Sequence, residues 1–340
     1  MNAGIRHPYA DAPGRGQAVE VAEGILWMRL PLPMALDHVN VYALDDGAGW
    51  TLFDTGLHSR LTVEIWQALL AGPLAGKPVT RVIVSHHHPD HIGMAGWFQA
   101  RGAELLTTRT AWLYARMLTL DEQATPAPQA LAFMQAAGMP ADMLAQRAAE
   151  RPFNFCDVVA PIPLGFTRLQ AGDALRAGGR DWTVRVGHGH APEQLTLWAG
   201  DLILGADQLL PGISANIGVY PTEPEADPLT EWLASCAAFQ PLATDAQLVL
   251  PGHKLPFTGL PLRLSQMIEN HEQALMRLRA FLHTPATAHG CMTTLFKREI
   301  GGAEYSLAIV EAVAHLNCLL QRGHVSRHLD ANQRNQWQAI

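Results

Sequence analysis

Arg81-Val82-Ile83-Val84-Ser85 runs without a break into His86-His87-His88-Pro89-Asp90-His91, so a buried-strand pattern ends in a packed group of metal-binding side chains. The group holds the spacing H-x-H-x-D-H. Side chains at i and i+2 leaving a strand point the same way, so His86 and His88 can serve one ion. Asp90 and His91, in the turn that follows, can face a second ion beside it. The competing reading is a run of solvated surface histidines, and it makes no demand on the rest of the chain. The metal reading does, because a zinc-type site needs further His or Asp donors at other strand ends. Three later segments offer them: Gly187-His188-Gly189-His190 after TVRV, Gly205-Ala206-Asp207 closing LILGA, and Pro251-Gly252-His253 closing QLVLPG. Each lies in a short loop after an apolar run, where a rigid element aims a ligand into an open space.

Outward from this stretch the chain alternates. Upstream are three β-rich runs, GILWMRLP (24–31), HVNVYAL (38–44) and WTLFD (50–54), with turn-formers such as Asp45-Asp46-Gly47 between them. An amphipathic helix is expected at 61–70, a helix at 91–101 and a strand at 104–106, giving β-α-β-α-β order. A second strand-rich block holds TVRVG (183–187), LTLWAG (195–200), LILGA (202–206) and QLVLPG (247–252), with a helix near 228–239. Between the blocks, residues 107–166 read as two or three short helices broken by Pro126, Pro128, Gly138 and Pro140. That is too long for a plain connection. It serves either as packing or as a lid that shapes a pocket, with Trp112 and Met117 as apolar candidates for the wall. After Pro261 the pattern becomes helical, at 262–282, 293–299 and 306–322, with a β-like tail GHVSRHL. A boundary at 261/262 therefore divides a catalytic domain, 1–261, from a C-terminal domain, 262–340.

This set of residues resembles the metallo-β-lactamase-fold hydrolases over about residues 20–260. The resemblance implies an α+β, four-layer αβ/βα sandwich, here with a helical insertion and a C-terminal three-helix, winged-helix-like domain. It implies that His86, His88 and His190 hold one metal, that Asp90, His91 and His253 hold another, and that Asp207 bridges the two with a hydroxide. Asp54, in Phe53-Asp54-Thr55-Gly56, matches the family's early aspartate, which supports the ligands from behind. The family pattern G-H-x-P selects His190 over His188, which becomes a pocket residue. Asp201 lies in a hairpin-turn pattern between two strand runs, so Asp207 is the better bridge. His58 and His87 are expected to be solvated or supporting. Lactamases of this fold place a cysteine where an aspartate bridges here, which disfavours antibiotic hydrolysis. The intact ligand set resembles instead the glyoxalase II, lactonase and RNA-processing branches. Two divalent ions, zinc first and iron or manganese otherwise, are the implied cofactors, with Asp90 and Asp207 as the catalytic carboxylates.

Composition bears on the substrate. The 340 residues are 48% apolar and 16% charged, well below the roughly one-quarter typical of soluble domains, so disorder is excluded. The formal charge is −7, divided as −9 over residues 1–262 and +2 over 263–340. Polyanion binding depends on clustered Lys and Arg, so nucleic acid is disfavoured and a small-molecule acyl bond (thioester, ester or lactone) is expected. The alternative is a metal-dependent endoribonuclease, to which the C-terminal helices also bear a resemblance. Those helices are expected to scaffold, close a pocket or form a homodimer. Asn216 and Tyr220, after the bridging aspartate, are candidate hydrogen-bond donors to substrate. Four scattered cysteines without a CxxC pair, no signal-peptide pattern and no apolar stretch of membrane-spanning length point to a cytoplasmic protein with no membrane partner.

Overall fold

The structure is a computed structural model, and it describes residues 4–340. Two sheets face one another. The first contains β1 (Val19–Ala22), β2 (Ile25–Pro31), β3 (His38–Asp45), β4 (Trp50–Phe53), β5 (Val79–Ile83), β6 (Glu104–Thr107) and β7 (Thr167–Arg168) in sequence order. β1 to β4 pair antiparallel, as tight turns allow, and β4 to β7 pair parallel, as intervening helices require. The second contains β8 (Ala174–Ala177), β9 (Arg180–Gly187), β10 (Gln194–Ala199), β11 (Leu202–Ala206) and β12 (Leu248–Pro251), in order β12-β11-β10-β9-β8. The short strands β1, β7 and β8 escape the sequence reading, since none carries an apolar run.

Three apolar layers hold the sandwich together. Between the sheets, Trp27, Phe53 and Ile83 of the first meet Trp182, Leu195, Leu204 and Leu250 of the second. Full burial of each aliphatic or Phe side chain stabilises by about 1.5–3 kcal/mol. The other face of the first sheet, with Val41, Leu52 and Val82, is covered by α1 (Arg60–Ala71) through Trp66 and Leu69 and by Phe98 of a later helix. Trp198, Ile203 and Val249 on the outer face of the second sheet pack against α7 (Pro228–Phe239) and the C-terminal helices. The order helix, sheet, sheet, helix is the expected four-layer sandwich.

The helix expected at 91–101 is instead two short ones, α2 (Pro89–Ile92) and α3 (Ala95–Gln99). Met94 N–H is taken by Gly56 O (3.0 Å) and Thr55 Oγ1 (3.1 Å), so the helical ladder stops and the chain is tied to the end of β4. The insertion forms α4 (Arg109–Leu120), α5 (Pro128–Ala136) and α6 (Ala141–Ala149).

The C-terminal helices are α8 (Leu260–Phe281), α9 (Ala288–Phe296) and α10 (Tyr305–Gln321), followed by a hairpin of β13 (Val325–Leu329) and β14 (Asn335–Ala339). α9 begins five residues before its expected start because Thr287 caps it, accepting from Gly290 N–H, and it ends where Lys297 adopts φ +58°. The segment Gly302–Gln321 does reach the length and apolarity of a membrane span, contrary to expectation, but 67% of that window is buried in the protein. Its apolar faces belong to the core shared with α7, α8 and α9. The 261/262 boundary falls in the first turn of α8, and this apolar core is continuous across it.

Candidate metal centre

The strand ends of both sheets converge at one edge of the sandwich. Asp54 follows β4, Ser85 to His88 follow β5, His190 follows β9, Asp207 follows β11 and His253 follows β12. Cross-links between the sheets hold this edge: Leu195 N–H donates to Ser85 O (2.9 Å), Asn40 N–H to Gly252 O (2.7 Å) and the Tyr42 hydroxyl to Pro251 O (2.8 Å). Pro89 occupies the first turn of α2, where its missing N–H costs nothing, and α2 turns Asp90 and His91 back toward the strand end.

Seven side chains meet there. His86, His88 and His190 form one group, His86, His91 and Asp207 a second, and Asp90, His91 and His253 a third, with ligand atoms inside 4.8 Å of one another in each. His88 Nδ1 is 3.0 Å from both His86 Nε2 and His190 Nε2. Asp207 lies between the groups, with Oδ2 3.4 Å from His190 Nε2 and 3.2 Å from His253 Nε2, and Oδ1 3.4 Å from His91 Nε2. Asp90 Oδ2 is 3.4 Å from His253 Nε2 and 3.5 Å from His91 Nε2.

Four of the remaining ring nitrogens are committed elsewhere, which fixes the tautomers of those histidines. His91 Nδ1–H donates to Asp54 Oδ2 (2.8 Å), His190 Nδ1–H to Asn216 O (2.8 Å) and His253 Nδ1–H to His38 O (2.7 Å). The Ser85 hydroxyl donates to Asp54 Oδ2 (2.8 Å) and therefore accepts from His86 Nδ1–H (2.9 Å). In its neutral form each of these four histidines thus presents a bare Nε2 to the cluster. One proton on His88 Nδ1 cannot satisfy both facing nitrogens, whereas a cation among them satisfies all three. His91 Nε2 and Asp207 Oδ1 are buried without hydrogen-bond partners, a cost that native interiors avoid unless something absent from the protein atoms fills the place. A tetrahedral zinc with Zn–N of about 2.0–2.1 Å spaces its nitrogens by about 3.3 Å, close to what is found. The donor set fits divalent metal.

Local backbone geometry serves the same end. Asp54 and Ala206 adopt φ +60° and +44°, left-handed values that non-glycine residues seldom take. Each immediately precedes or carries a carboxylate of the site. A Cβ on Gly252 would stand 2.2 Å from Asp207 Oδ1 and 2.9 Å from His91 Cε1, so glycine there keeps room for the Asp207 carboxylate.

Electrostatics divide the cluster. Burial, reinforced by the neighbouring histidines, holds His86 and His88 well below the usual imidazole range, as neutral ligands require. Burial also pulls on His91 and His253, but Asp207 and Asp90 outweigh it, and Asp54 adds to the effect at His91. His91 is raised well above its ordinary value and His253 is raised to about 10. Burial opposes ionisation of Asp207 too, yet His253 and His91 hold it well below the usual carboxylate range. Without a cation, the carboxylates therefore keep protons on two histidines that a cation would displace.

His190, not His188, points into the cluster. His188 turns away, with Nδ1 against Pro192 O (2.7 Å). Asp201 sits in the β10–β11 turn and pairs with Arg180 (2.8 Å). Asn216 does not face a substrate as expected: its side chain is bound to α10 and its carbonyl to His190. His87 is buried rather than solvated, with Nδ1 unpartnered. Trp112 stacks on Phe166 (4.9 Å, 16°) and Met117 is exposed. The insertion instead sends Tyr114 to a cleft beside His88 and His190, lined also by His87, Tyr220, Glu223 and Glu231, with about 140 Å³ of free volume. Tyr114 and Glu223 carry no motif that the sequence could have revealed.

Comparison with known proteins agrees with this geometry. The sequence profile of the metallo-beta-lactamase superfamily matches residues 34–253, and that of a metallo-beta-lactamase-like C-terminal domain matches 275–340. The chain is 24% identical over 320 residues to the probable metallo-hydrolase YqjP of Bacillus subtilis strain 168, covering 91% of this chain and 96% of that one. A beta-lactamase domain protein from Burkholderia ambifaria superposes with a TM-score of 0.91 at 32% identity, covering 99% and 98% of the two chains. A metallo-beta-lactamase family protein from Thermus thermophilus gives 0.79 at 25% identity, covering 94% and 100%. With its strand-end histidines and aspartates gathered in this way, the chain belongs to the metallo-beta-lactamase superfamily and is a metallo-hydrolase.

Proposed function

We propose that the protein is a dinuclear metal-dependent hydrolase of a small-molecule acyl bond: a thioester, ester or lactone. The observation that carries the reading is the cleft beside the cluster, in which, among the described residues, no lining side chain is Lys or Arg while Glu223 and Glu231 are present. A polynucleotide would bring its flanking phosphates against those carboxylates with no Lys or Arg of the cleft to receive them. A small uncharged acyl group meets the Tyr114 and Tyr220 rings and the apolar Val219 and Pro228 instead.

His86, His88 and His190 would hold one ion, Asp90, His91 and His253 the other, and Asp207 would touch both. Two such cations supply a water acidic enough to ionise near neutral pH and a Lewis acid for the scissile carbonyl. Asp207 keeps the two halves of the site at a set separation. Asp90, at the open side with its carboxyl part-exposed, is placed to take a proton and pass it to the leaving group. Five imidazole donors with two carboxylates suit zinc, with iron and manganese next. Three of the four unpaired cysteines are buried, which supports a reducing, cytoplasmic setting.

The test is metal analysis followed by a substrate panel. Purified protein is expected to carry about two equivalents of metal, falling in Asp207→Ala. Of a thioester, an acyl lactone, a nitrocefin-type lactam, bis-p-nitrophenyl phosphate and labelled single-stranded RNA, a thioester or lactone should turn over fastest. RNA cleavage that His88→Ala abolishes, without thioester or lactone turnover, would replace this reading with the endoribonuclease one.

A further inference from the structure

The segment after Asp207 lies on the first half of α10, and it does so through residues of a single helical face. Asn216 Nδ2 donates to Glu311 Oε2 (2.7 Å) and to Leu307 O (3.1 Å), while Val219 N–H donates to Val310 O (3.1 Å). Positions 307, 310 and 311 are related by the three- and four-residue spacing of one helix side. Gly218 permits the approach, since a Cβ there would come within 2.9 Å of Val310 Cγ2. The same Asn216 that α10 grips offers its backbone carbonyl to His190 Nδ1–H at 2.8 Å. A chain of two hydrogen bonds therefore runs from a carboxylate in the C-terminal helices to the third histidine of the cluster.

Alternatives elsewhere are weaker. The cavity between α5 and the β13–β14 hairpin, lined by Phe133, Val313, Arg327 and Trp337, has nothing on it that selects a ligand. The buried His271–His315 pair joins α8 to α10 and has nothing beside it that points to a ligand.

We propose that Glu311 is a positioning residue for His190, acting through Asn216. The proposal rests on the metal-centre reading above and extends it to a residue 121 positions away in the chain. Asn216 Oδ1 is buried with no partner, so its carboxamide is oriented by its two N–H bonds alone. Removing Glu311 takes away the shorter of them. The Asn216 carbonyl is then free to rotate off His190, whose ring loses the acceptor that fixes its tautomer and aims Nε2 at His88. Burial pushes the Glu311 carboxyl up to about 7 against the opposing pull of the Asn216 hydrogen bond, as befits a group enclosed for a structural purpose. The chemistry needs an acceptor at Glu311 Oε2, and it does not need a charge.

The experiment is a cobalt(II) titration of the full chain, read by visible absorption, with circular dichroism to follow the fold. Glu311→Ala should weaken at least one cobalt equivalent about tenfold, the low end for an outer hydrogen-bond partner, and alter the cobalt spectrum while helicity is retained. Glu311→Gln, which keeps an acceptor, should restore both affinity and spectrum. In an Asn216→Ala background, Glu311→Ala should add no further loss. Wild-type affinity and spectrum in a folded Glu311→Ala, additivity of the two substitutions, or failure of Glu311→Gln to rescue would each overturn the proposal. A wild-type protein that binds no cobalt would sink the metal-centre reading, and this proposal with it.

Discussion

Asp54 Oδ2 lies 2.8 Å from His91 Nδ1, with both side chains all but sealed from solvent. The same oxygen accepts from the Ser85 hydroxyl, and Oδ1 accepts from Ser85 N–H at 2.7 Å. A residue at φ +60° thus supplies three hydrogen bonds that orient His91 directly and His86 through Ser85, without itself reaching the cluster.

Asp54→Asn separates charge from shape. Asparagine tolerates the left-handed backbone and can still accept from Ser85 N–H, but its Nδ2 then faces two donors. His91 must move its proton to the other nitrogen, and its bare Nε2 is lost to the cluster. Metal affinity is expected to fall by about 10- to 100-fold, measured by competition with a chromophoric chelator, with the global fold retained.

Gly252→Ala tests the space reserved for the Asp207 carboxylate. The added Cβ, 2.2 Å from Asp207 Oδ1, has to displace Asp207 or the His253 loop. Activity should fall by about 10²-fold or more, since a misplacement of about 1 Å at a catalytic site costs that much. Metal content measured on the same sample should drop toward one equivalent.

Metal binding should weaken as the pH falls. In the metal-free protein His253 keeps its proton up to about 10 and His91 is also raised, so the cation that Asp90, His91 and His253 would hold must expel protons, and its affinity rises with pH until both histidines are neutral. Linkage gives the sign for folding. A histidine raised in the folded state stabilises fully below about 6.5 and loses that contribution as pH climbs through its folded value. Metal-free protein should therefore lose stability between about pH 6.5 and 10, while metal-loaded protein, whose histidines are already neutral, should not. Zinc competition titrations and thermal melts of both forms across this range check the two halves.

Glu311 has the same sign of linkage from a different cause. Burial raises its carboxyl from 4.5 to about 7, so its neutral form favours folding below about 4.5 and that contribution fades as pH rises to about 7. Wild-type protein should lose denaturant stability relative to Glu311→Gln over that interval. A difference between the two that does not change with pH would contradict the buried carboxyl.

What could be read from the chain was what local order controls. A strand running into His86-His87-His88-Pro89-Asp90-His91 places donors at a strand end whatever the rest of the molecule does, because the alternation of side chains and the proline start of a helix are short-range geometry. The apolar runs before His190, Asp207 and His253 could be recognised as strands for the same reason, while the four-layer order was implied by the family resemblance that these motifs carry. The break between α2 and α3 could not, because it depends on Met94 N–H finding Gly56 and Thr55 on another element.

Direction and partnership were tertiary matters. The family pattern picks His190 over His188, and the packing of their loop supplies the physical reason, sending one to the cluster and the other to Pro192 O. Asn216 reads as a donor for substrate until α10, 91 to 95 residues further on, takes its carboxamide. Sequence by itself determined the chemistry of the donors and their attachment to rigid strands, since both are written within a few adjacent residues. The fold decided which way each donor faces and what holds it there, because a hydrogen bond between distant segments leaves no periodicity and no spacing in the chain.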